Sequence, residues 1–423
     1  MTTSERPQEA FVWVWLPGAD EPVVAGRLEP VGDLFPFNYG RSYLGRGDAV
    51  PLHLPELPLR TGSIDPFDGL HIAGCINDAS PEIWGQRVIM RVLLEETAND
   101  TDPAALDRLT YLLRSGSDRI GALDFQGSSD RYVPRLENTA TLAQLMQAAD
   151  DVDQGLPLSP GLDLALLHGS SVGGARPKAL LDDESGRKLI AKFSSSTDVY
   201  SVVQGEFCAM ELARRAGLDV APARLVSVMD RKVLLVERFD RVPGTKQRRA
   251  LVSALTMLEL DEMMARYASY AGLAEIIRTR FIDARTTLRE LFSRITFNIL
   301  VGNTDDHARN HAAFWNGQSL SLTPAYDLCP QPRTGGEATQ AMAIGPDGYR
   351  YSQLAGCVEH ASTYLLAERE ARAIIDHQIE VITAEWDSVA DLGALTPVDR
   401  EYFWNRQFLN PYALQGYTLE DAL

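Results

Sequence analysis

The stretch Gly302-Asn303-Thr304-Asp305-Asp306-His307-Ala308-Arg309-Asn310 is a run of polar and charged residues that directly follows an apolar helical segment. Its centre, Asp305 to Asn310, has the spacing Asp-x-x-x-x-Asn. Phosphoryl-transfer loops use this spacing to place a carboxylate on the incoming hydroxyl and an amide oxygen on a metal ion. Asp and Asn are also common in ordinary turns, so the stretch alone leaves both interpretations open.

The segment after this loop predicts a hairpin that returns a second carboxylate to it. Apolar residues flank Asn316-Gly317, the strongest short hairpin signal, and the returning strand leads to Asp327. We therefore expect Asp327 to lie beside Asp305 and Asn310. Two carboxylates and an amide are oxygen ligands of the kind that Mg²⁺ requires.

Helical periodicity dominates the chain beyond residue 250. Apolar residues predict helices at about 254–267, 272–280 and 284–300, and the last of these leads into the polar loop. A further helix is predicted at about 366–387, and Thr396-Pro397 has the cap and first-turn proline that begin another. This half of the chain is expected to form a mainly helical lobe.

The composition is that of a soluble globular protein of two or three domains. The 423 residues are 45% hydrophobic and 23% charged, and no apolar run is long enough to span a membrane. The amino terminus lacks the features of a secretory signal, so we expect a cytoplasmic protein. The four cysteines lack metal-binding spacing and are predicted to be reduced core or near-core residues. The net charge of −18 excludes nucleic-acid binding over the whole surface and leaves open a local basic patch or a basic partner.

A glycine- and serine-rich loop, His168 to Leu180, precedes a predicted strand. Gly173 and Gly174 let backbone N–H groups approach an anion closely, and the serine hydroxyls and Lys178 add donors. The loop could therefore cover the phosphates of a nucleotide. It matches neither the P-loop nor the dinucleotide-binding pattern, and an ordinary turn is the alternative.

The strand that follows, 187–193, contains Lys192 and resembles the kinase strand whose lysine holds nucleotide phosphates and pairs with a helix glutamate. The next helix, at about 201–216, contains Glu206, which is either that partner or a solvated residue. Strands at 220–228 and 232–236 then lead to a segment that would be the adenine-binding hinge of a two-lobed kinase.

The first 150 residues predict a small α+β unit without a catalytic cluster. A hairpin is expected across residues 11–28, helices at 80–96 and 103–114, and a strand at 119–125. The polar segment 126–165 marks the end of this domain.

Together these motifs resemble the HipA family of serine/threonine kinase toxins. Their order and spacing agree across about 165–330, and Ser117 to Ala122 resembles the end of the family's N-terminal domain. The motifs are SVGGA-x-PK at 171–178, IAKF at 190–193, VERFDR at 236–241, GNTD-x-HA-x-N at 302–310 and LTP-x-YD at 322–327. The resemblance implies an α+β, two-lobed protein-kinase-like fold. Its expected parts are a small N-terminal α+β domain (1–150), an N-lobe with phosphate loop and hinge (151–245) and a mainly helical C-lobe with catalytic loop and metal site (246–423).

The resemblance also implies roles for individual residues. Asp305 is the catalytic base, grouped with Lys192 and His307, and Asn310 and Asp327 are the magnesium ligands. The residues expected to bind ATP are Ser171, Val172, Gly173, Gly174, Lys178, Lys192, Asn310 and Asp327, with the backbone of Glu237 and Phe239 on the adenine. Glu206 is the ion-pair partner expected for Lys192.

Ser171 stands where the family carries an autophosphorylated loop serine, and Ser170 could substitute for it. In the family, phosphorylation of this serine expels the loop and inactivates the kinase. The phosphate adds roughly −1.5 to −2 charges beside a site lined by carboxylates, and this charge opposes the nucleotide-bound arrangement. Two departures stand out. Asp306 replaces a frequent small residue and could serve a metal or a basic substrate, and Arg176-Pro177 leaves the mobility of the loop open.

Family members act as toxins paired with a small helix-turn-helix antitoxin, and those of known action phosphorylate aminoacyl-tRNA synthetases. We accordingly expect ATP and Mg²⁺ as cofactors, a HipB-like antitoxin, DNA contact mainly through that antitoxin, and arrest of translation and growth of the kind linked to persistence. Two alternatives stay open. One is a small-molecule phosphotransferase with a confined acidic pocket, and the other is a catalytically weak kinase-like subunit that acts as an antitoxin-bound transcriptional corepressor.

Overall fold

The computed structural model describes residues 7–94, 106–135, 140–156, 162–195, 198–333 and 335–419. The chain divides into two compact units. The first consists of Met1–Thr197, Val226–Val252 and Phe314–Gln318, and the second of Asp198–Leu225, Ser253–Ala313 and Ser319–Leu423. Most of the predicted domains 1–150 and 151–245 thus belongs to the first unit, and most of the predicted domain 246–423 to the second.

An antiparallel five-stranded sheet begins the first unit. Its strands are β1 (Ala10–Val14), β2 (Val23–Leu28), β3 (Phe37–Tyr39), β4 (Ser63–Ile64) and β5 (Leu123–Gln126), in the order β4-β3-β2-β1-β5. β1 and β2 form the predicted hairpin. Trp13 and Trp15 lie on one face, as their contacts show: both rings contact the Tyr132 ring, with centroids 5.4 and 5.3 Å away. The strand predicted at 119–125 begins later, at Leu123, because the chain first turns at Gly121 with a φ of 76°.

The helices described in the first unit are α1 (Arg41–Leu44), α2 (Gly74–Asn77), α3 (Ile83–Leu94), α4 (Arg108–Arg114), α5 (Leu142–Asp153) and α6 (Leu162–Gly169). α3 confirms the helix predicted at 80–96 up to Leu94, but it begins at Ile83 and leaves Pro81 before the helix. The predicted start of the next helix, Asp102-Pro103, and residues 157–161 of the predicted domain boundary lie outside the described residues. Within them, α4 begins after Asp107, whose carboxylate accepts the Thr110 N–H at 2.9 Å.

A second sheet of four strands contains the predicted phosphate-binding lysine. Its strands are β6 (Lys178–Asp182), β7 (Lys188–Lys192), β8 (Ala223–Val228) and β9 (Arg231–Glu237), in the order β6-β7-β9-β8. Side chains from α3, α5 and α6 pack with this sheet in one core that includes Trp84, Leu145, Leu166, Ala191 and Leu235. β7 alternates buried and half-buried residues, so Lys192 lies on the face opposite Leu189 and Ala191.

The second unit is mainly helical, as predicted. Its helices are α7 (Val202–Arg215), α8 (Ala254–Met257), α9 (Tyr270–Arg280), α10 (Ala284–Val301), α11 (Leu354–Glu359), α12 (Glu368–Leu392) and α13 (Pro397–Phe403). The remaining strands are β10 (Ala250–Ser253), β11 (Ala312–Trp315) and β12 (Leu320–Leu322), and β11 and β12 form the predicted Asn316-Gly317 hairpin.

The continuous helix predicted at 254–267 is wrong. α8 ends at Met257, Glu259 turns the chain with a φ of 58°, and a 3₁₀ helix covers Glu262–Tyr267. Periodicity could not reveal this break because the left-handed residue is a glutamate, which has no strong turn preference.

Burial agrees with the composition of the chain. All four cysteines are buried, as predicted. In the part of the chain that the structure describes, no helix is both long and apolar enough to cross a bilayer.

Candidate functional site

The catalytic-loop candidate begins where α10 ends. Gly302 caps the helix with a φ of 73°, and the Asn303 N–H donates to the Asn298 carbonyl at 2.8 Å. A Cβ at Gly302 would lie 2.8 Å from the Gln407 carbonyl oxygen, so another residue would meet both a strained backbone and a clash with backbone atoms. The turn that starts the loop therefore depends on glycine.

Asp306 anchors this loop inside the second unit. Its carboxylate is 2% exposed and accepts hydrogen bonds from Asn298 Nδ2 at 2.8 Å, from the Tyr270 hydroxyl and from His311 Nε2, which lies 2.8 Å away. Burial favours a raised pKa of Asp306, but His311 and these hydrogen bonds hold that pKa below its usual value. The extra carboxylate that the sequence offered to a metal or a basic substrate is used within the protein.

Asp305 has the opposite environment although it is the next residue. Its side chain is exposed. Partial desolvation raises the pKa of Asp305, His307 opposes this effect, and the carboxylates of Asp327 and Asp306 add to it. A carboxylate whose pKa is raised binds a proton more readily, which is what a general base requires.

Asp327 comes close enough to Asp305 to influence it, as the predicted hairpin required. It adopts a φ of 59°, an uncommon conformation for a residue other than glycine and one that Asp tolerates better than most. Asn303 Nδ2 connects the two segments, because it donates to the Asn298 side-chain oxygen at 3.0 Å and to the Asp327 carbonyl at 3.4 Å.

Asn310 completes the predicted group and is buried. Its side-chain amide nitrogen donates to the Asp305 carbonyl at 3.4 Å, and its backbone N–H donates to the His307 carbonyl at 2.9 Å in a short 3₁₀ turn. Asp305, His307, Asn310 and Asp327 thus come together in one unit.

The donor chemistry of this group fits magnesium. Two side-chain atoms in the loop of Asp305, Asn303 Oδ1 and His307 Nδ1, are buried without a hydrogen-bond partner among the described residues. Both atoms could therefore contact a bound ligand. Within the same ranges, no three His, Cys, Asp or Glu side chains gather as a metal-binding cluster. The fit therefore rests on carboxylate and amide oxygens, the hard ligands that Mg²⁺ prefers.

The glycine loop lies in the first unit against the start of α3. Gly85 makes this approach possible, since a Cβ there would lie 1.7 Å from the Ser170 carbonyl oxygen. Ser170 and Ser171 are 0% and 1% exposed. The Ser170 hydroxyl donates to the Leu167 carbonyl at 2.7 Å, and the Ser171 hydroxyl is buried without a partner among the described residues. Val172 is also buried.

The peptide between Gly173 and Gly174 is held at both ends. The Gly174 N–H donates to Glu82 Oε2 at 2.7 Å, and the Gly173 carbonyl accepts a hydrogen bond from the Lys178 ammonium. Trp84 adds two bonds: its backbone N–H donates to the Gly174 carbonyl at 3.2 Å and its indole N–H to the Lys178 carbonyl at 2.9 Å. Sequence reasoning missed Glu82 and Trp84 because 92 residues separate Glu82 from Gly174.

Lys178 and Lys192 lie directly opposite each other across β6 and β7. Directly opposite residues of antiparallel strands project to the same face, so the two predicted phosphate-binding lysines are neighbours. Glu206 is buried on α7 in the second unit, whereas Lys192 belongs to the first. Their ion pair stays a prediction.

The predicted hinge follows β9 and is clamped by Arg238. Its guanidinium is buried and donates to the Asp118 and Arg119 carbonyls at 3.0 and 2.6 Å and to both carboxylate oxygens of Asp240. The Gly121 N–H also donates to Asp240, at 2.8 Å. Burial favours a raised pKa of Asp240, but the neighbouring arginines hold it below its usual value. These bonds set the course of the chain on both sides of Phe239.

Several residues that build the site carried no functional signal in the sequence. Tyr270, Asn298 and His311 meet at Asp306 from three segments of the second unit. One signal was present, since Asn298 is a polar residue in the apolar last turns of the predicted helix 284–300.

Comparisons with known proteins agree with this architecture. The family model of the HipA-like C-terminal domain matches residues 170–386. Y4mE of Sinorhizobium fredii, provisionally named a kinase, is 27% identical over 329 residues, which are 69% of this chain and 71% of that protein. The serine/threonine-protein kinase toxin HipA of Shewanella oneidensis is 29% identical over 186 residues, which are 37% of this chain and 42% of the toxin.

The fold is also that of a solved protein. The match is a HipA structure from Shewanella oneidensis, solved with HipB and operator DNA, with a TM-score of 0.68 and 20% identity. The match covers 95% of this chain and 97% of the other. The α+β, kinase-like fold predicted from the motifs is confirmed. Since the family model also spans more than half of the sequence, the chain belongs to the HipA family.

Proposed function

We propose that this HipA-family protein is a serine/threonine protein kinase that transfers the γ-phosphoryl group of ATP to a protein hydroxyl. The observation that carries the proposal is that Asn310 and Asp327 lie near Asp305, an exposed carboxylate whose pKa is raised. Next to it, Asp306 is hydrogen-bonded by buried partners and holds the loop in place. A preorganised loop of this kind supplies catalysis mainly by positioning and electrostatics, which is what phosphoryl transfer requires.

In the proposed reaction, Asp305 orients the attacking hydroxyl and accepts its proton as the oxygen bonds to the γ-phosphorus, while the bond from that phosphorus to the β,γ-bridging oxygen breaks and ADP leaves. Asn310 and Asp327 would hold Mg²⁺, which when bound neutralises charge on the phosphate oxygens. His307 lies close enough to Asp305 to influence its pKa, and we assign it to the same catalytic group.

The first unit would supply the nucleotide-binding groups. Lys178, Lys192 and the Gly173 and Gly174 backbone offer positive charge and N–H donors to phosphates. The remaining predicted contacts are Ser171 and Val172 in the glycine loop, with the backbone of Glu237 and Phe239 on the adenine.

We further propose that the kinase is the toxin of a toxin–antitoxin pair. The Shewanella oneidensis HipA structure contains HipB and operator DNA, which supports a helix-turn-helix antitoxin as partner and DNA contact through that antitoxin. By family resemblance, the substrate would be an aminoacyl-tRNA synthetase, and its modification would stop translation and growth.

Self-inactivation by autophosphorylation of Ser171 or Ser170 would require a change of loop structure. Both hydroxyls are buried, so neither can reach a phosphate donor while the loop stays as described. A phosphoserine brings roughly −1.5 to −2 charges, which cannot return to such a buried position without a large desolvation cost.

The test is incubation of the purified protein with labelled ATP and Mg²⁺, alone and in a cell lysate. We expect label on protein for the wild type and its loss for Asp305→Ala and Asp327→Ala. Asp387→Asn is the matched control, because that carboxylate on α12 has a 91% exposed side chain and lies outside the cluster. Label found only on small molecules would indicate a phosphotransferase. Absence of label from the wild type would refute the kinase and favour a corepressor role.

A further inference from the structure

We propose that Glu82 occupies the phosphate position of the glycine loop and that nucleotide must displace its carboxylate. The proposal rests on the proposed kinase function and deepens it, because it names the residue that competes with the phosphates for the loop. It concerns the affinity for nucleotide and assigns Glu82 no part in the chemical step.

The contacts of the loop are those expected for a bound anion. The Gly174 N–H donates to Glu82 Oε2 at 2.7 Å, and Gly174 has a φ of 104°, a conformation that glycine adopts without a side-chain penalty. Backbone N–H groups presented by such loops bind phosphate oxygens or carboxylates equally well by geometry. Here a carboxylate from the protein itself fills that role.

The charges around the loop favour the same interpretation. Lys178 and Lys192 are directly opposite on β6 and β7, and like charges in that arrangement destabilise a sheet. An anion bound near both ammonium groups would relieve the repulsion. Glu82 brings one negative charge to the Gly174 N–H in the described state, whereas the triphosphate of ATP would bring several.

Space on the loop does not allow both anions. A Cβ placed on Gly173 would lie 2.5 Å from Glu82 Oε1, so the carboxylate is in direct contact with the loop. A phosphate oxygen that binds the Gly174 N–H would need the same position. The two anions therefore exclude each other by contact as well as by charge.

Displacement requires a rotation of the Glu82 side chain away from the Gly174 N–H. The backbone of this region is fixed, because the Glu82 carbonyl accepts the Gln86 N–H at 2.8 Å and the Trp84 N–H donates to Gly174. The side chain is half-buried, so it borders solvent and can turn away from the loop. Helix α3 and the glycine loop can keep their positions when the acceptor of the Gly174 N–H changes from Glu82 to a phosphate.

The proposal predicts that removal of the charge at position 82 tightens ATP binding. The measurement is the Kd of ATP and of adenosine, by titration calorimetry on the full chain, for the wild type, Glu82→Gln and Glu82→Ala. Both variants are expected to bind ATP roughly 5-fold or more tightly, the lower end of typical couplings. Adenosine affinity should not change, because adenosine has no phosphate. Glu184→Gln, at an exposed carboxylate in the turn between β6 and β7, should behave as the wild type.

Other outcomes overturn the proposal in distinguishable ways. If Glu82→Ala weakens ATP binding while Glu82→Gln is neutral, Glu82 is a brace that supports the loop. If adenosine affinity shifts as much as ATP affinity, the effect does not come from phosphate competition. If ATP binds to none of the proteins, the proposed kinase function fails together with the competition.

Discussion

The catalytic loop and the glycine loop are held in place by different means. The catalytic loop is anchored through Asp306, whose partners Tyr270, Asn298 and His311 are buried with it. The glycine loop is held at Gly173 and Gly174. The backbone groups of these two glycines form hydrogen bonds with Glu82, Lys178 and Trp84.

The difference reflects what each loop must do. A buried carboxylate that is bound by three buried side chains has one geometry, so it fixes the loop that contains the proposed base. A hydrogen bond that a half-buried carboxylate accepts can be replaced by one to a ligand at little cost. On the proposed function, the base is therefore preorganised, whereas the phosphate-binding loop can bind and release its ligand.

The largest effect is expected for Asp306→Ala. The change leaves Tyr270, Asn298 and His311 buried and without their shared acceptor, and unsatisfied buried groups at about 1–3 kcal/mol each cost on the order of 3–5 kcal/mol together. We expect the free energy of unfolding, measured with denaturant, to fall by that amount. Asp305→Ala is the control, since it removes the adjacent exposed carboxylate and should abolish phosphoryl transfer with little loss of stability. Equal stability of the two variants would contradict the anchoring role.

The same carboxylate should make stability depend on pH. The pKa of Asp306 is lowered in the folded state, despite burial, by His311, Tyr270 and the nearby His307. Its contribution is present above the unfolded pKa of about 3.9 and is lost as pH falls through the lower folded value. The stability difference between the wild type and Asp306→Ala should therefore shrink in acid.

An intermediate effect is expected for Gly302→Ala. Both Gly302 and Gly217 have a positive φ, but a Cβ on Gly302 meets the Gln407 backbone and one on Gly217 meets nothing within 4 Å. Gly217→Ala should cost about 1–2 kcal/mol for the left-handed backbone alone. Thermal and denaturant unfolding should show a larger loss for Gly302→Ala. Equal losses would mean that Gln407 yields to the methyl group.

The smallest effect is expected for Ser170→Ala in the glycine loop. The change removes the hydroxyl donor to the Leu167 carbonyl with little change of volume, and one hydrogen bond contributes roughly 1 kcal/mol to the free energy of unfolding. Denaturant unfolding should show this modest loss with phosphoryl transfer retained. A loss as large as that of Asp306→Ala would remove the contrast between the two loops.

Local signals in the sequence predicted much of this protein. Apolar periodicity predicted α10, and Asn316-Gly317 predicted the hairpin that returns Asp327 to Asp305. Five motifs in order predicted the HipA family. These predictions succeeded because each depends on residues close together in the chain.

Partners that are far apart in the sequence were not predictable. Glu82 and Gly174 are 92 residues apart, and Arg238 lies 120 residues from the Asp118 carbonyl that it binds. The sequence left the role of Asp306 open, and one of its three partners, Tyr270, is 36 residues away from it. The spacing and type of the residues do not identify pairs that are so far apart in the sequence.

The sequence by itself determined which candidate groups the protein has: the proposed base and metal ligands, two lysines and a glycine loop. Only the tertiary structure decided how those groups are used. Of two adjacent carboxylates, Asp305 is exposed with a raised pKa and Asp306 is buried with a lowered one. The physical reason is that solvation and long-range hydrogen bonds, which set the charge and position of a side chain, exist only once the chain has folded.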